Sequence, residues 1–238
     1  MLFSQLGAAF TSSFGNLAID KDKVKMYEAF RKTDFIMVSI AVVICSGFIA
    51  CIQDFIALAF GPKFLLGDVS VIILMATMLI TLVNIPAVSV QNATGRHDAD
   101  VKLMIIQALF AITGGFIGGY FFDMEGLLLG MLIPLFVFTT LGKNLIIQKR
   151  LFDKNCMAVL SHLAITLLRS GIIITIVALA TMVINTGSLL LNILIKGIIA
   201  IFVSIAVLIV TSLRSRYFHS TVHLVKSFVT SVTHRKKV

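Results

Sequence analysis

Two cations lie where cations are expensive. Arg169 interrupts the run VLSHLAITLLRSGIIITIVALATMVI and Lys196 interrupts SLLLNILIKGIIAIFVSIAVLIVTSL, neither with an acidic residue in its own run. Ionisable groups in such surroundings face a cavity, a partner or an ion path, because hydrocarbon does not solvate them. A guanidinium presents a planar fork of donors that suits a diphosphate or an acidic sugar, whereas an ammonium is a point charge on a flexible stem. Arg169 is therefore the first candidate for holding an anionic cargo, against pairing with a carboxylate or helix-end carbonyls, or snorkelling to the interface. Lys196 is the second, with snorkelling as the competing reading. Asp54, near the end of another apolar run, is the carboxylate that coupling to H⁺ or Na⁺ would use, and it can equally pair with Lys63 or with one of the two cations. Asn84 and Gln91 share one face of a helix and, with Gln107, supply amides that either line the same cavity or hydrogen-bond between helices.

The elements that must position these groups are six apolar stretches, at about 34–59, 69–94, 101–121, 126–147, 159–184 and 188–213. About 20 residues suffice to cross a hydrocarbon core. Unsatisfied backbone groups are costly in lipid, so stretches of this length are helices. The expected fold is all-α: a polytopic transmembrane bundle of six complete spans. With 58% hydrophobic and 13% charged residues and a mean hydropathy of +1.04, no soluble domain is left over.

Of the 20 Lys and Arg residues, all but Lys63, Arg169 and Lys196 fall before the first stretch, in alternate connections or in the tail. Segments flanking membrane spans keep excess Lys and Arg on the cytoplasmic side. The expected localisation is thus a cell membrane, multi-pass, with the C-terminus cytoplasmic. The net charge of +9 follows from this topology and does not call for nucleic acid.

Residues 1–33 read as the end of a preceding span whose beginning is missing, followed by a basic cytoplasmic loop. A surface helix is the alternative. Residues 34–213 form the bundle, and 214–238 a basic tail in which Val222, Val225, Phe228, Val229 and Val232 recur at helical spacing, as in a segment lying on an anionic leaflet. The tail's His219, His223 and His234 lack a further ligand, so no metal site is expected. Cys45, Cys51 and Cys156 show no metal-like spacing. Pro86 should bend the second span. Gly114-Gly115 and Gly118-Gly119 make two overlapping G-x-x-x-G pairs, which allow another helix to approach closely. No phosphate-binding loop, H-E-x-x-H or nucleophile elbow occurs, so neither an enzyme nor a cofactor is expected.

Phe14-Gly15-Asn16 followed by the basic segment to Phe30, Asp54-Phe55-Ile56-Ala57-Leu58-Ala59-Phe60-Gly61 ending one span, and Asn92-Ala93-Thr94-Gly95-Arg96 ending the next resemble, in order and spacing, the later half of a polysaccharide flippase. Such flippases translocate O-antigen or exopolysaccharide repeat units and belong to the multidrug/oligosaccharidyl-lipid/polysaccharide exporter superfamily. The resemblance covers most of residues 10 to 155. It implies a transporter of two pseudo-symmetric bundles with a cavity between them open alternately to each side, of which this chain supplies one. The implied cargo is a lipid-linked oligosaccharide, and the implied partners are membrane lipids, glycosyltransferases and a polysaccharide polymerase. Two alternatives stand: a cation-coupled multidrug exporter of the same superfamily, and a non-transporting membrane partner in polysaccharide assembly.

Overall fold

The computed structural model describes residues 2–19, 22–95 and 98–213; the basic tail and its histidines lie outside them. Among these residues every regular element is a helix. In chain order they are α1 (Leu2–Ile19), α2 (Lys23–Ala59), a single 3₁₀ turn (Pro62–Phe64), α3 (Asp68–Val83), α4 (Ile85–Thr94), α5 (Asp98–Pro134), a π-helical segment (Leu135–Lys143), α6 (Asn144–Phe152), α7 (Cys156–Met182) and α8 (Leu189–Ser212). Five runs are long and apolar enough to cross a membrane: Lys23–Ala59, Asp68–Thr94, Val101–Phe152, Cys156–Met182 and Leu189–Ser212. The third, of 52 residues, is two passes rather than one, because the backbone leaves helical geometry at Phe122 and Asp123.

The basic segment before the first span is not a loop but the first turns of that span's own helix. Asp22 caps α2, its carboxylate accepting from the backbone N–H of Val24 and Lys25 at 3.1 Å each. These bonds, the one from Lys25 first, hold its carboxyl below the usual carboxylate range. No Gly or Pro follows until Gly47, so nothing stops the helix at the membrane edge. Its 37 residues reach roughly 55 Å, well beyond a 30 Å hydrocarbon core. It ends at Gly61, whose φ of 97° only glycine adopts readily and whose N–H closes onto the carbonyl of Ala57.

Near Pro86, where a bend is expected, the helix is interrupted two residues earlier: Pro86 occupies the first turn of α4, where its missing N–H is tolerated, and α3 and α4 part at Asn84. The connection expected between the stretches at about 101–121 and 126–147 is also present. Asp123 takes φ 51°, and the two arms of α5 return against each other. Gly114 faces Gly130 and Gly118 faces Gly126. A Cβ on Gly118, Gly126 or Gly130 would land on the opposing backbone and one on Gly114 would press tightly against it at 3.1 Å, whereas at Gly115 and Gly119 it would meet only ordinary contacts with Leu127 or Met131. One of the two G-x-x-x-G pairs is therefore a contact surface, and its partner is a matching Gly126/Gly130 pair in the next pass.

α2 is the central pillar, touching α1, α3, α4, α7 and α8. Its fully buried Ala41, Val42 and Cys45 pack with Leu79, Leu82 and Val83 of α3, Ile173 and Ile174 of α7 and Leu208 of α8. A second cluster joins Phe14 of α1, Met26 and Phe30 of α2, Ala87 and Val90 of α4 and Ile147, Leu151 and Phe152 of α6. Here α1 lies against α4: Gly7 leaves room for Ile85, and its carbonyl accepts from Ser89 Oγ at 3.2 Å. At the end of the bundle that gathers the basic segments, Lys23 pairs with Asp153 at 3.0 Å and Lys154 lies 4.3 Å above the ring of Tyr27. At the other end, Gln53 ties the backbone of Leu66 through both amide atoms.

Candidate functional site

Three sets of polar groups inside the bundle hold most of the candidates read from the sequence. The first surrounds Arg169, midway along α7 and half-buried. Its Nε donates to Thr211 Oγ1 at 3.2 Å and its Nη2 donates to Ser212 Oγ, both in the last turn of α8. Among the described residues it forms no ion pair. A cation beside a helix C-terminus is favoured by the helix dipole, worth roughly 0.3–1 kcal/mol at an exposed site. Hydroxyls are weak compensation for a full charge, so the fork keeps acceptor-seeking N–H groups and an unneutralised cation.

The second set joins α8 to α2. Lys196 Nζ lies 2.6 Å from Asp54 Oδ2, with side chains only 16% and 17% exposed. Of the partners open to Asp54, the structure selects Lys196 rather than Lys63. The pair is neutral, and Cys51 lies one turn before Asp54, its thiol 3.5 Å from the carbonyl of Ile193. A carboxylate held this way is occupied.

The third set sits where two passes depart from α-helical geometry. Asn84, at the break between α3 and α4, donates from Nδ2 to the carbonyl of Ile80 and to Thr140 Oγ1, both at 2.8 Å. Its Oδ1 accepts from Asn144 Nδ2 at 2.8 Å, and that nitrogen also donates to the Thr140 carbonyl at 2.9 Å. All three side chains are at most 5% exposed, so this is a satisfied buried network joining the second and fourth passes. Gln107, on the first arm of α5, accepts a hydrogen bond from Thr139. Thr139 and Thr140, adjacent in sequence, thus serve different helices. Gln91 is buried on α4, and it takes no part in the Asn84 network.

The candidates read from the sequence are consequently not brought together. Arg169, the Lys196–Asp54 pair and the Asn84 network stand on different interfaces, and Gln91 is buried on α4. Nor do they line any of three clefts: an apolar groove of about 740 Å³ along the α5 hairpin, between Gly115, Phe116, Tyr120 and Met131, an apolar groove of about 580 Å³ along α7 at Leu168, Gly171 and Thr175, or a cleft of about 530 Å³ at the basic end between α1, α2, α4 and α6.

Sequence reasoning missed Thr140, Asn144, Thr211 and Ser212. Thr140 and Asn144 do carry a signal, lying four apart as the fourth apolar stretch ends. It also missed Asp34 and His162, which face each other across α2 and α7 with Oδ2 and Nε2 3.5 Å apart, both largely buried; this is an ion pair only while the imidazole is protonated. Asp34 was legible only as the first residue of a span.

No family model, curated protein or solved structure matches the chain.

Proposed function

We infer that this chain is one bundle of a membrane translocator that flips lipid-linked oligosaccharide repeat units by alternating access, with its basic end and its tail on the cytoplasmic side. The observation that carries the reading is the contrast in charge compensation: among the described residues Arg169 has only hydroxyl partners, while Asp54 is neutralised by Lys196. A carrier of organic cations needs a carboxylate free to receive them; a carrier of a diphosphate-linked sugar needs a cation with spare donors. Among the candidates read from the sequence, the second requirement is the one met. In a transporter of two bundles the cargo cavity lies between them, so the groups that hold cargo stand on the surface of one bundle and not in a pocket of its own. A half-buried Arg169 at the α7–α8 face fits that geometry. The motifs of the resemblance also end helices: 54–61 closes α2, and 92–95 closes α4, where Gly95 takes the left-handed conformation.

The test is complementation. In cells lacking a repeat-unit translocator, this chain would be expressed with a first bundle, and surface polysaccharide would be measured. Restored export is expected, and Arg169→Ala should lower it by roughly 10- to 100-fold, the equivalent of about 1.5–3 kcal/mol for a charge-assisted hydrogen bond. Arg169→Lys should recover only part, since the fork is lost. Export unchanged in Arg169→Ala would remove Arg169 from cargo binding and favour a non-transporting assembly partner.

A further inference from the structure

At the basic end of the bundle the third cleft has a composition that neither the hydrophobic core nor cargo binding accounts for. Its floor is apolar, built from Leu17 of α1, Met26 of α2 and Ala93 of α4; its rim carries Lys23, Thr94 and Arg150. Its volume is about 530 Å³. Among the described residues the charges around it do not cancel. Asp22 also lines the cleft, but its carboxylate is taken up by the N–H groups of Val24 and Lys25 and by Lys25 Nζ at 3.3 Å. Lys23 reaches Asp153 at 3.0 Å through a pair that is 63% and 76% exposed, the kind worth little in water and readily exchanged. Arg150 is exposed and forms no ion pair among the described residues. Lys149 and Lys154 add further positive charge on the same helix end and loop.

A ligand for this cleft needs an anionic group for Arg150 and Lys23, a polar middle for the Thr94 hydroxyl and an apolar body for the floor. A free phosphate lacks the last of these. The cleft also opens at the basic end of the helices long enough and apolar enough to cross a membrane, and basic pockets between such helices hold acidic lipids. We propose that this cleft is a binding site for an acidic phospholipid, its phosphate between Arg150 and Lys23 and its glycerol and first methylenes on Leu17 and Ala93. Occupancy would tie α1, which otherwise rests mainly on α4, to α2 and α6. The proposal needs only the membrane-crossing bundle and stands apart from the saccharide reading.

The experiment uses the purified full chain in neutral detergent. Native mass spectrometry would count bound dioleoyl-phosphatidylglycerol, with dioleoyl-phosphatidylcholine and inorganic phosphate as the comparison probes. Phosphatidylglycerol should be retained in preference to phosphatidylcholine, and millimolar phosphate should not displace it. Arg150→Gln combined with Lys23→Gln should reduce retention at least tenfold, while Lys63→Gln, at the opposite end, should leave it unchanged. Both cleft cations are exposed, so the double variant should keep the helical circular dichroism of the parent. Ala93→Phe, which fills the floor and leaves every charge in place, should also reduce retention. Equal retention of phosphatidylcholine, equal loss in Lys63→Gln, displacement by phosphate, or undiminished binding in Ala93→Phe would each overturn the site.

Discussion

Arg169 and Lys196 look alike in sequence, each a single cation inside an apolar run, yet the structure separates them. Lys196 meets a carboxylate 142 residues away at 2.6 Å and becomes half of a neutral pair. Arg169 meets two hydroxyls at the end of α8 and keeps its charge. One cation is consumed in holding α8 to α2; the other remains available. The lesson is that cost in a membrane flags both residues equally, and only the partner tells architecture from binding.

The sharpest way to break this comparison is to remove the ammonium. Lys196→Ala leaves Asp54 charged and largely buried, and should cost about 3–5 kcal/mol, the range for orphaning one member of a buried pair. Thermal unfolding in detergent would measure it, and Lys196→Met with Asp54→Leu should recover most of the loss. A small loss in the single variant would place Lys196 on the same footing as Arg169.

Next in size is the hairpin. Gly118→Ala drives a methyl into the opposing backbone and should cost about 1–3 kcal/mol by overpacking, whereas Gly115→Ala should be near neutral. Equal effects would show that the register of the two arms differs from the one described. Asn84→Ala, which leaves Thr140 and Asn144 without their shared partner, should cost about 0.6–1.7 kcal/mol, the span measured for hydrogen bonds between membrane helices. Smallest should be the effect of Arg169→Ala on stability, at most about 1 kcal/mol from the helix-end interaction. A loss there as large as that of Lys196→Ala would make Arg169 structural and end the comparison.

What was legible from the residues was what hydropathy and charge report locally. The six passes, the connection at Asp123 and the break near Pro86 could all be read because length, Gly and Pro act on their own neighbourhood. Two kinds of information escaped. Pairings across the bundle, such as Asp54 with Lys196 or Arg169 with Ser212, depend on which helices become neighbours. Departures from α geometry leave almost no compositional trace: nothing in LFVFTTLGK distinguishes a π turn from an α turn, so Thr140 and Asn144 passed as part of an ordinary span. The Gly126/Gly130 pair lies between these cases. Its spacing mirrors that of Gly114/Gly118 about Phe122, a symmetry present in the sequence but meaningful only once the chain is known to fold back there.

The π-helical segment fixes the phase of everything after it. Each residue of an α-helix turns the chain by about 100°, so restoring ordinary winding between Pro134 and Asn144 would rotate α6 as a rigid rod. Ile147 and Leu151 would swing away from Phe14 and Phe30, and Lys149 and Arg150 on the outer side would be carried inward. The widened coil works as a fixed angular offset, letting one continuous helix satisfy an amide network at mid-depth and still present its greasy side correctly a few turns later.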